Sequence, residues 1–382
     1  MTPKQRVLAA FNKKPSDKVP VHHIGLCSQV AGALLGREAY VGGGIQQWRE
    51  AVAWWHGEDA HAEFLERSFQ DALDVALLLD QDIVRPSYWR YDLRPTKRLD
   101  DNTFLYACGD EDDWRVLRYD PPSEQCNVFP YSPRQITMDD LEKDIREREK
   151  AVADYHPSRD QFAFDVRAHE QLGDERVVRT GGVGIGIPVR ESEIWFEALL
   201  VRPDLVERHL DIQTEQAIRN AEFLVSLGFV YLFGGGDFAS NEGPMYSPEH
   251  FRRLVVPRLK RVSDACHKLG AYHLFASDGN VWPVADGLFG ASGLDGYYEI
   301  DRLAGMDLSR LRRRFPDLTL LGNISSRTVH LGAREQVVQE ALSCIEEAKR
   351  SSGIIVGVSN YLVPGTPARN VAALIETIRQ HR

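Results

Sequence analysis

Short apolar runs ending in Gly, Ser, Asn, Asp or His recur along this chain, each followed by an amphipathic helical stretch, and this alternation constrains the fold more than any other feature. A helix between two strands lets the second strand lie parallel to the first, because a parallel neighbour requires a crossover. Runs of strand character lie at Val19 to Leu26, Asp82 to Ser87, Val177 to Gly184, Phe229 to Gly234, Ala271 to Ala276, Gly293 to Ile300, Leu318 to Asn323 and Ile354 to Ser359. Eight runs is the number a (β/α)8 TIM barrel needs, and barrels of that kind fill chains well beyond ~250 residues. The expectation is α/β architecture and a single domain over residues 1–382.

Helix starts support this reading. Ser247-Pro248-Glu249 places a cap before a proline at the first helical position, and Phe251, Leu254, Val255 and Leu259 then recur at helical spacing. Thr366-Pro367 repeats the arrangement before Val371, Leu374, Ile375 and Ile378. The charge-rich stretch Met138 to Gln161 reads as a solvated helix. One segment, residues 91–130, breaks the alternation. Turn clusters at Asp100-Asn102 and Gly109-Asp113 flank strand-like Thr103 to Cys108 and Trp114 to Tyr119, which predicts a β-hairpin inserted after strand two. Loops after barrel strands lie at the catalytic face, so this insertion is placed to act as a lid or to meet a partner.

Composition excludes several functions. A formal charge of -10 and a pI near 5.7 oppose binding to nucleic acid. The charged start of the chain lacks the apolar core of a signal peptide, and no stretch is long and apolar enough for a membrane span, so a cytoplasmic protein is expected. Cys27, Cys108, Cys126, Cys266 and Cys344 include no C-x-x-C pair and read as free structural thiols.

Polar residues at the carboxyl ends of barrel strands face the shared pocket. That rule selects His22, His23 and Cys27 after strand one, Arg85, Tyr88 and Arg90 after strand two, and Asp237 after strand four. It also selects Ser277, Asp278 and Asn280 after strand five, Tyr297, Tyr298 and Glu299 on strand six, Asn323 on strand seven, and Ser359 and Asn360 on strand eight. His273 lies within strand five, either facing the interior or as a hydrogen-bonded core histidine. Asp237, Asp278 and Glu299 are the candidate catalytic groups, able to move protons or anchor a hard cation; for Asp237 and Asp278 the alternative is a turn cap. The glycines of Gly181 to Gly186 lack the following Lys-Ser/Thr of a phosphate loop, which favours close packing at a strand end.

Several segments together resemble the uroporphyrinogen decarboxylase superfamily, which includes corrinoid-linked methyltransferases. Arg6 to Phe11 through Asp17-Lys18-Val19-Pro20 resembles its entry helix and first strand. Tyr246-Ser247-Pro248-Glu249 with Pro257, Gly305-Met306-Asp307 with Gly322-Asn323-Ile324, and Pro364 with Thr366-Pro367 and Asn370-Val371 resemble later family segments, in order. The departures are informative. Where the decarboxylases carry an arginine-rich loop for substrate carboxylates, this chain has His22-His23-Ile24-Gly25-Leu26-Cys27. Arg85-Pro86-Ser87-Tyr88-Trp89-Arg90 replaces the segment bearing their pyrrole-binding aspartate, and Asn360 stands at the histidine of their final strand. The methyltransferases hold a thiol-activating zinc through an H-x-C pair and a later cysteine, positions that fall here on Ala276, Asp278 and Asn360.

The resemblance, with these losses, implies a methyltransferase that moves a methyl group between a small methylated compound and a corrinoid or folate-type carrier. It implies no zinc held through cysteine, and a corrinoid carried on a partner protein. A carboxy-lyase acting on a porphyrinogen-like or smaller acid, with Arg85, Arg90 or Arg190 on the carboxylate, is the first alternative, and a non-catalytic ligand-binding barrel is the second.

Overall fold

The computed structural model describes residues 1–107, 114–130, 136–189 and 193–382. Cys108, the expected turn at Gly109 to Asp113, and Arg190 lie outside the described residues. The strands are β1 (Gly25–Leu26), β2 (Ile83–Val84), β3 (Lys97–Arg98), β4 (Thr103–Ala107), β5 (Trp114–Asp120), β6 (Gln125–Pro130), β7 (Val177–Val178), β8 (Tyr231–Gly235), β9 (Tyr272–Ala276), β10 (Gly296–Tyr298), β11 (Thr319–Leu321), β12 (Ile354–Ile355) and β13 (Tyr361–Leu362).

Strands β8 to β12 form one parallel sheet in the order β12-β11-β10-β9-β8. β2 pairs in parallel with β7, and β1 with β13. Bridges and backbone hydrogen bonds link these pieces: parallel bridges join Val21 to Val356 and Thr180 to Leu232, and the Asp82 amide donates to the Val21 carbonyl at 2.8 Å. The result is a mixed α/β fold of the TIM-barrel-like kind. The first three runs and the last shrink to two-residue strands and bridges. Pro86 cannot donate to a ladder and the glycines from Gly181 onward weaken one, so pairing stops early.

Alternation along the strands separates two cores. Tyr231 and Phe233 of β8, Leu274 and Ala276 of β9, Tyr298 of β10, Leu321 of β11 and Ile355 of β12 pack together with Ile24, Ile83, Val177 and the helix Pro3–Phe11. The strand neighbours of opposite parity, Leu232, Phe275, Tyr297, Leu320 and Val356, belong instead to the larger core shared with the helices. Successive strand residues point to opposite faces, so parity decides which side chains can meet on each face of the sheet. At the amino-terminal end, buried Asp82 accepts from the Val21 amide at 2.8 Å and pairs with Arg6 and Arg382, both at 3.2 Å. That ties residues near both ends of the chain to the start of β2.

The segment after β2 is larger than the expected hairpin. β3, β4, β5 and β6 form a four-stranded antiparallel sheet in sequence order. Phe104, Tyr106 and Leu117 bury one face against Ala51 and Trp48 of the helix Gly44–His56. A side chain at Gly44 would strike the Cys126 amide, so glycine permits this docking. Glu124 accepts from the amides of Ser28 and Gln29 at 2.8 and 3.0 Å, at the start of the helix following β1. A carboxylate there satisfies free amides and the helix dipole.

Two helix starts differ in detail. Ser247 Oγ accepts from the His250 amide at 3.1 Å, as its cap position predicts. The last helix runs Ala368–His381 with Pro367 as its cap residue, while the Thr366 hydroxyl is spent on the Val363 carbonyl at 2.6 Å. Among the described residues no helix is long and apolar enough to cross a membrane.

Candidate active site

Three carboxylates from adjacent strand ends meet. Asp237 follows β8, Asp278 follows β9 and Glu299 follows β10, and an oxygen of each lies within 4.8 Å of the others. Local sequence makes this possible. A side chain at Gly234 would sit 2.6 Å from the Val183 carbonyl oxygen, and one at Gly236 2.6 Å from that of Ile185, so the glycine run lets residues 183–186 cross the end of β8. Gly184 likewise packs on Gly235, in accord with close packing rather than phosphate binding. Beyond β9, Gly279 takes a φ of +83° with Ser240 against it, which turns the chain sharply after Asp278.

Asp278 is oriented by neighbours. Asn360 Nδ2 donates to its two oxygens at 3.1 and 3.0 Å, and the Asp278 amide approaches Asp237 Oδ1 at 3.5 Å. Asn360 Oδ1 in turn accepts from the Tyr361 amide at 2.7 Å. Glu299 has a φ of +62°, costly for a residue with a side chain and of the kind that gathers at functional sites. Burial raises its pKa, Arg179 and Arg85 oppose the rise, and Asp237 adds to it. The trio can therefore hold a proton on Glu299, or present oxygen donors to a hard cation.

Beside the acids stands a basic and aromatic wall. Arg85 donates to the carbonyls of Ser87 and Ile24 at 2.8 and 2.9 Å, and its guanidinium lies over Tyr88 and Tyr361 at 4.9 and 5.6 Å. Arg179 lies over Tyr298 at 4.8 Å and Phe233 at 5.5 Å, and reaches Glu299 at 3.9 Å. The Tyr298 hydroxyl donates to the Gly234 carbonyl at 2.6 Å, and burial pushes its pKa up to about 12. His22 is buried, with Nδ1 against the Ile83 carbonyl at 3.0 Å, and burial with Arg179 nearby holds it well below its usual pKa.

The remaining sequence candidates fall away from this centre, chiefly through parity. His273 turns outward, its Nδ1 2.9 Å from Ser263 Oγ on the helix Val256–Lys268. His23 points opposite to His22 and accepts from the Val358 amide at 3.2 Å. Asn323 donates to the Met306 carbonyl at 2.8 Å and accepts from Cys344, so its amide belongs to the core. Tyr297 packs on Phe289 in the core shared with the helices, and its hydroxyl donates to the Ser277 carbonyl at 2.9 Å. Ser277 is itself buried, and Asn280 Oδ1 accepts from the Trp282 amide at 3.1 Å; both serve the turn that carries Asp278. Arg90 pairs with the fully buried Glu50 at 3.0 Å, where Glu50 also meets His61 at 3.1 Å and the Tyr91 amide at 3.0 Å. Its charge is neutralised there, not at the pocket.

Arg179, Tyr361 and Asp165 were missed. Asp165 accepts from the Thr180 hydroxyl at 2.8 Å, and burial raises its pKa to about 6 despite nearby Arg179 and Arg85. The signal for Arg179 was a charged residue within the apolar run from Val177. A separate surface cavity of about 290 Å³ has Arg49 and Arg67 stacked on Tyr40 and paired with Glu38, and lies away from the strand ends.

A family model described as Uroporphyrinogen decarboxylase (URO-D) matches residues 185–381, just over half of the chain. The chain belongs to the uroporphyrinogen decarboxylase family. A uroporphyrinogen decarboxylase of Anaeromyxobacter sp. (strain Fw109-5) is 30% identical over 128 residues, 33% of this chain and 34% of that protein. The match thus spans about a third of this curated relative. A methyltransferase from Methanosarcina mazei superposes with a TM-score of 0.62 at 21% identity, covering 100% of this chain and 99% of that one, a likeness of fold.

The positions that the sequence resemblance sets against a thiol-activating zinc site lie close together: Asp278 and Asn360 are in contact, and Ala276 lies two residues before Asp278. Their donors are a carboxylate and an amide. The described thiols stand elsewhere. Cys27 caps a helix, Cys344 bonds Asn323, and burial pushes Cys27, Cys126 and Cys266 up to about 12. A zinc held through sulfur does not fit these residues.

Proposed function

We propose that this uroporphyrinogen-decarboxylase-like chain is an enzyme that moves a methyl group from a small methylated compound to a corrinoid or folate-type carrier. The observation that carries the reading is the meeting of Asp237, Asp278 and Glu299 at the strand ends, with Glu299 kept toward its protonated form by burial. We read the strand segments as a closed (β/α)8 barrel with the reaction at its carboxyl-terminal face.

Cleaving a methyl ether leaves the bonding electron pair on oxygen, and a proton delivered there makes that oxygen a better leaving group. Glu299 is the proton donor in this reading, and Asp278, held by Asn360, orients the donor molecule; Asp237 restores the proton from solvent. Positioning supplies much of the remaining effect, since methyl transfer needs donor and acceptor in line. A corrinoid, when bound, supplies a strongly nucleophilic metal centre that accepts the methyl group. Trp89, 52% exposed and stacked on Tyr361 at 5.0 Å and 24°, offers a flat apolar surface suited to the face of such a carrier.

The test is anaerobic mixing of the protein with reduced cobalamin and a panel of O-methyl and N-methyl compounds, followed by absorbance. Methylation that depends on the protein and falls in Glu299→Gln supports the reading, and no methylation by any panel member contradicts it. The adjacent guanidiniums of Arg85 and Arg179 favour a second reading, a carboxy-lyase on a small acid, whose signature is carbon dioxide release without a carrier.

A further inference from the structure

Three side-chain atoms in the wall beside the acids are buried without a hydrogen-bond partner: Arg179 Nη1, Tyr361 Oη and His22 Nε2. Buried polar atoms are nearly always paired, so unpaired ones that share one place ask what satisfies them. They do share one place. Arg179 and His22 both face the Phe233 ring, at 5.5 and 6.4 Å from its centroid, and Tyr361 lies beneath the Arg85 guanidinium at 5.6 Å. Arg85 spends Nε and Nη1 on carbonyls, so its position is fixed before any ligand arrives.

Their chemistry is specific. Arg179 Nη1 can only donate, and a tyrosine hydroxyl donates readily to a negative oxygen. His22 uses Nδ1–H on the Ile83 carbonyl, which leaves Nε2 with a lone pair able only to accept. We infer that Arg179, Tyr361 and Arg85 form a subsite for the carboxylate of the substrate, with His22 Nε2 accepting a hydrogen from an O–H or N–H of the same molecule. This rests on reading the adjoining acids as the reaction centre, and makes the methyl donor a small methylated acid. The guanidiniums of the subsite come from strand ends two and three and the hydroxyl from strand eight, beside the stretch after strand one that here holds His22 in place of the decarboxylases' arginines.

The test is calorimetric titration of the full chain with methoxyacetate, glycolate and 4-methoxybenzoate, against the neutral methoxyacetamide. At least one carboxylate binds one per chain, and methoxyacetamide does not. Arg179→Gln and Tyr361→Phe each weaken that binding by about tenfold, the scale of losing a hydrogen bond to a charged group. Tyr361→Phe removes a hydroxyl that meets the Arg85 guanidinium, and Arg85 keeps its two carbonyl bonds, so the variant stays folded and remains usable if Arg179→Gln fails to fold. Absence of binding by all three acids, equal binding of the amide, or unchanged binding in Tyr361→Phe overturns the subsite. If an acid binds as expected but neither methyl transfer nor carbon dioxide release follows, the reaction reading fails and the subsite stands. Turnover of a neutral methyl compound with no acid bound gives the reverse.

Discussion

Asp278→Asn separates a catalytic role from a turn cap. The substitution keeps the shape and one acceptor for Asn360 Nδ2, and removes one of three acidic charges whose oxygens lie within 4.8 Å. Two unit charges at that separation repel by about 3.5 kcal/mol at an effective dielectric of ~20. Asp237 is exposed and Glu299 is drawn toward protonation, so the repulsion left for Asp278 to relieve is about 1 kcal/mol. The variant should melt at or above wild type, by about 1–3 °C. Methyl transfer to cobalamin should fall at least tenfold, about 1.4 kcal/mol of barrier, and Asp237→Asn should behave in the same sense. A lowered melting temperature with normal turnover would show that the carboxylate only holds its turn, and would refute the reasoning.

Glu50→Ala strips Arg90 and His61 of a buried partner and should cost about 3–5 kcal/mol in urea unfolding, whereas Asp92→Asn, at the exposed end of the same cluster, should cost under about 1 kcal/mol. Asp165 has a raised folded pKa, so its contribution to stability is full below about pH 4 and lost as pH rises through about 6. Asp165→Asn should therefore match wild type in melts at pH 4 and exceed it above pH 6, by at most about 3 kcal/mol. X-ray absorption on purified protein should find no stoichiometric zinc with sulfur ligands; one such zinc per chain would overturn the donor-set argument.

The strand-end rule located the trio because Asp237, Asp278 and Glu299 follow neighbouring strands, whose ends are adjacent in any parallel sheet. It failed where both faces of a strand are apolar. Along Tyr272, His273, Leu274 and Phe275 no polar alternation marks the inner face, so sequence could not tell that His273 meets a helix. The same ambiguity misplaced His23 and Tyr297. Arg90 follows the right strand, but its partner Glu50 lies forty residues earlier in a helix, a pairing only tertiary structure creates. The inserted sheet was legible in its two central strands; β3 and β6 are short or carry no alternation strong enough to stand out.

The most direct measurement uses whichever methylated acid binds, labelled with carbon-13 at both the methyl and the carboxyl carbon, with the protein and reduced cobalamin in one vessel. The account predicts that the methyl label moves to cobalamin while the carboxyl label stays in the demethylated product, and that Glu299→Gln slows the transfer. Carboxyl label appearing as carbon dioxide, with the methyl group retained, would contradict it.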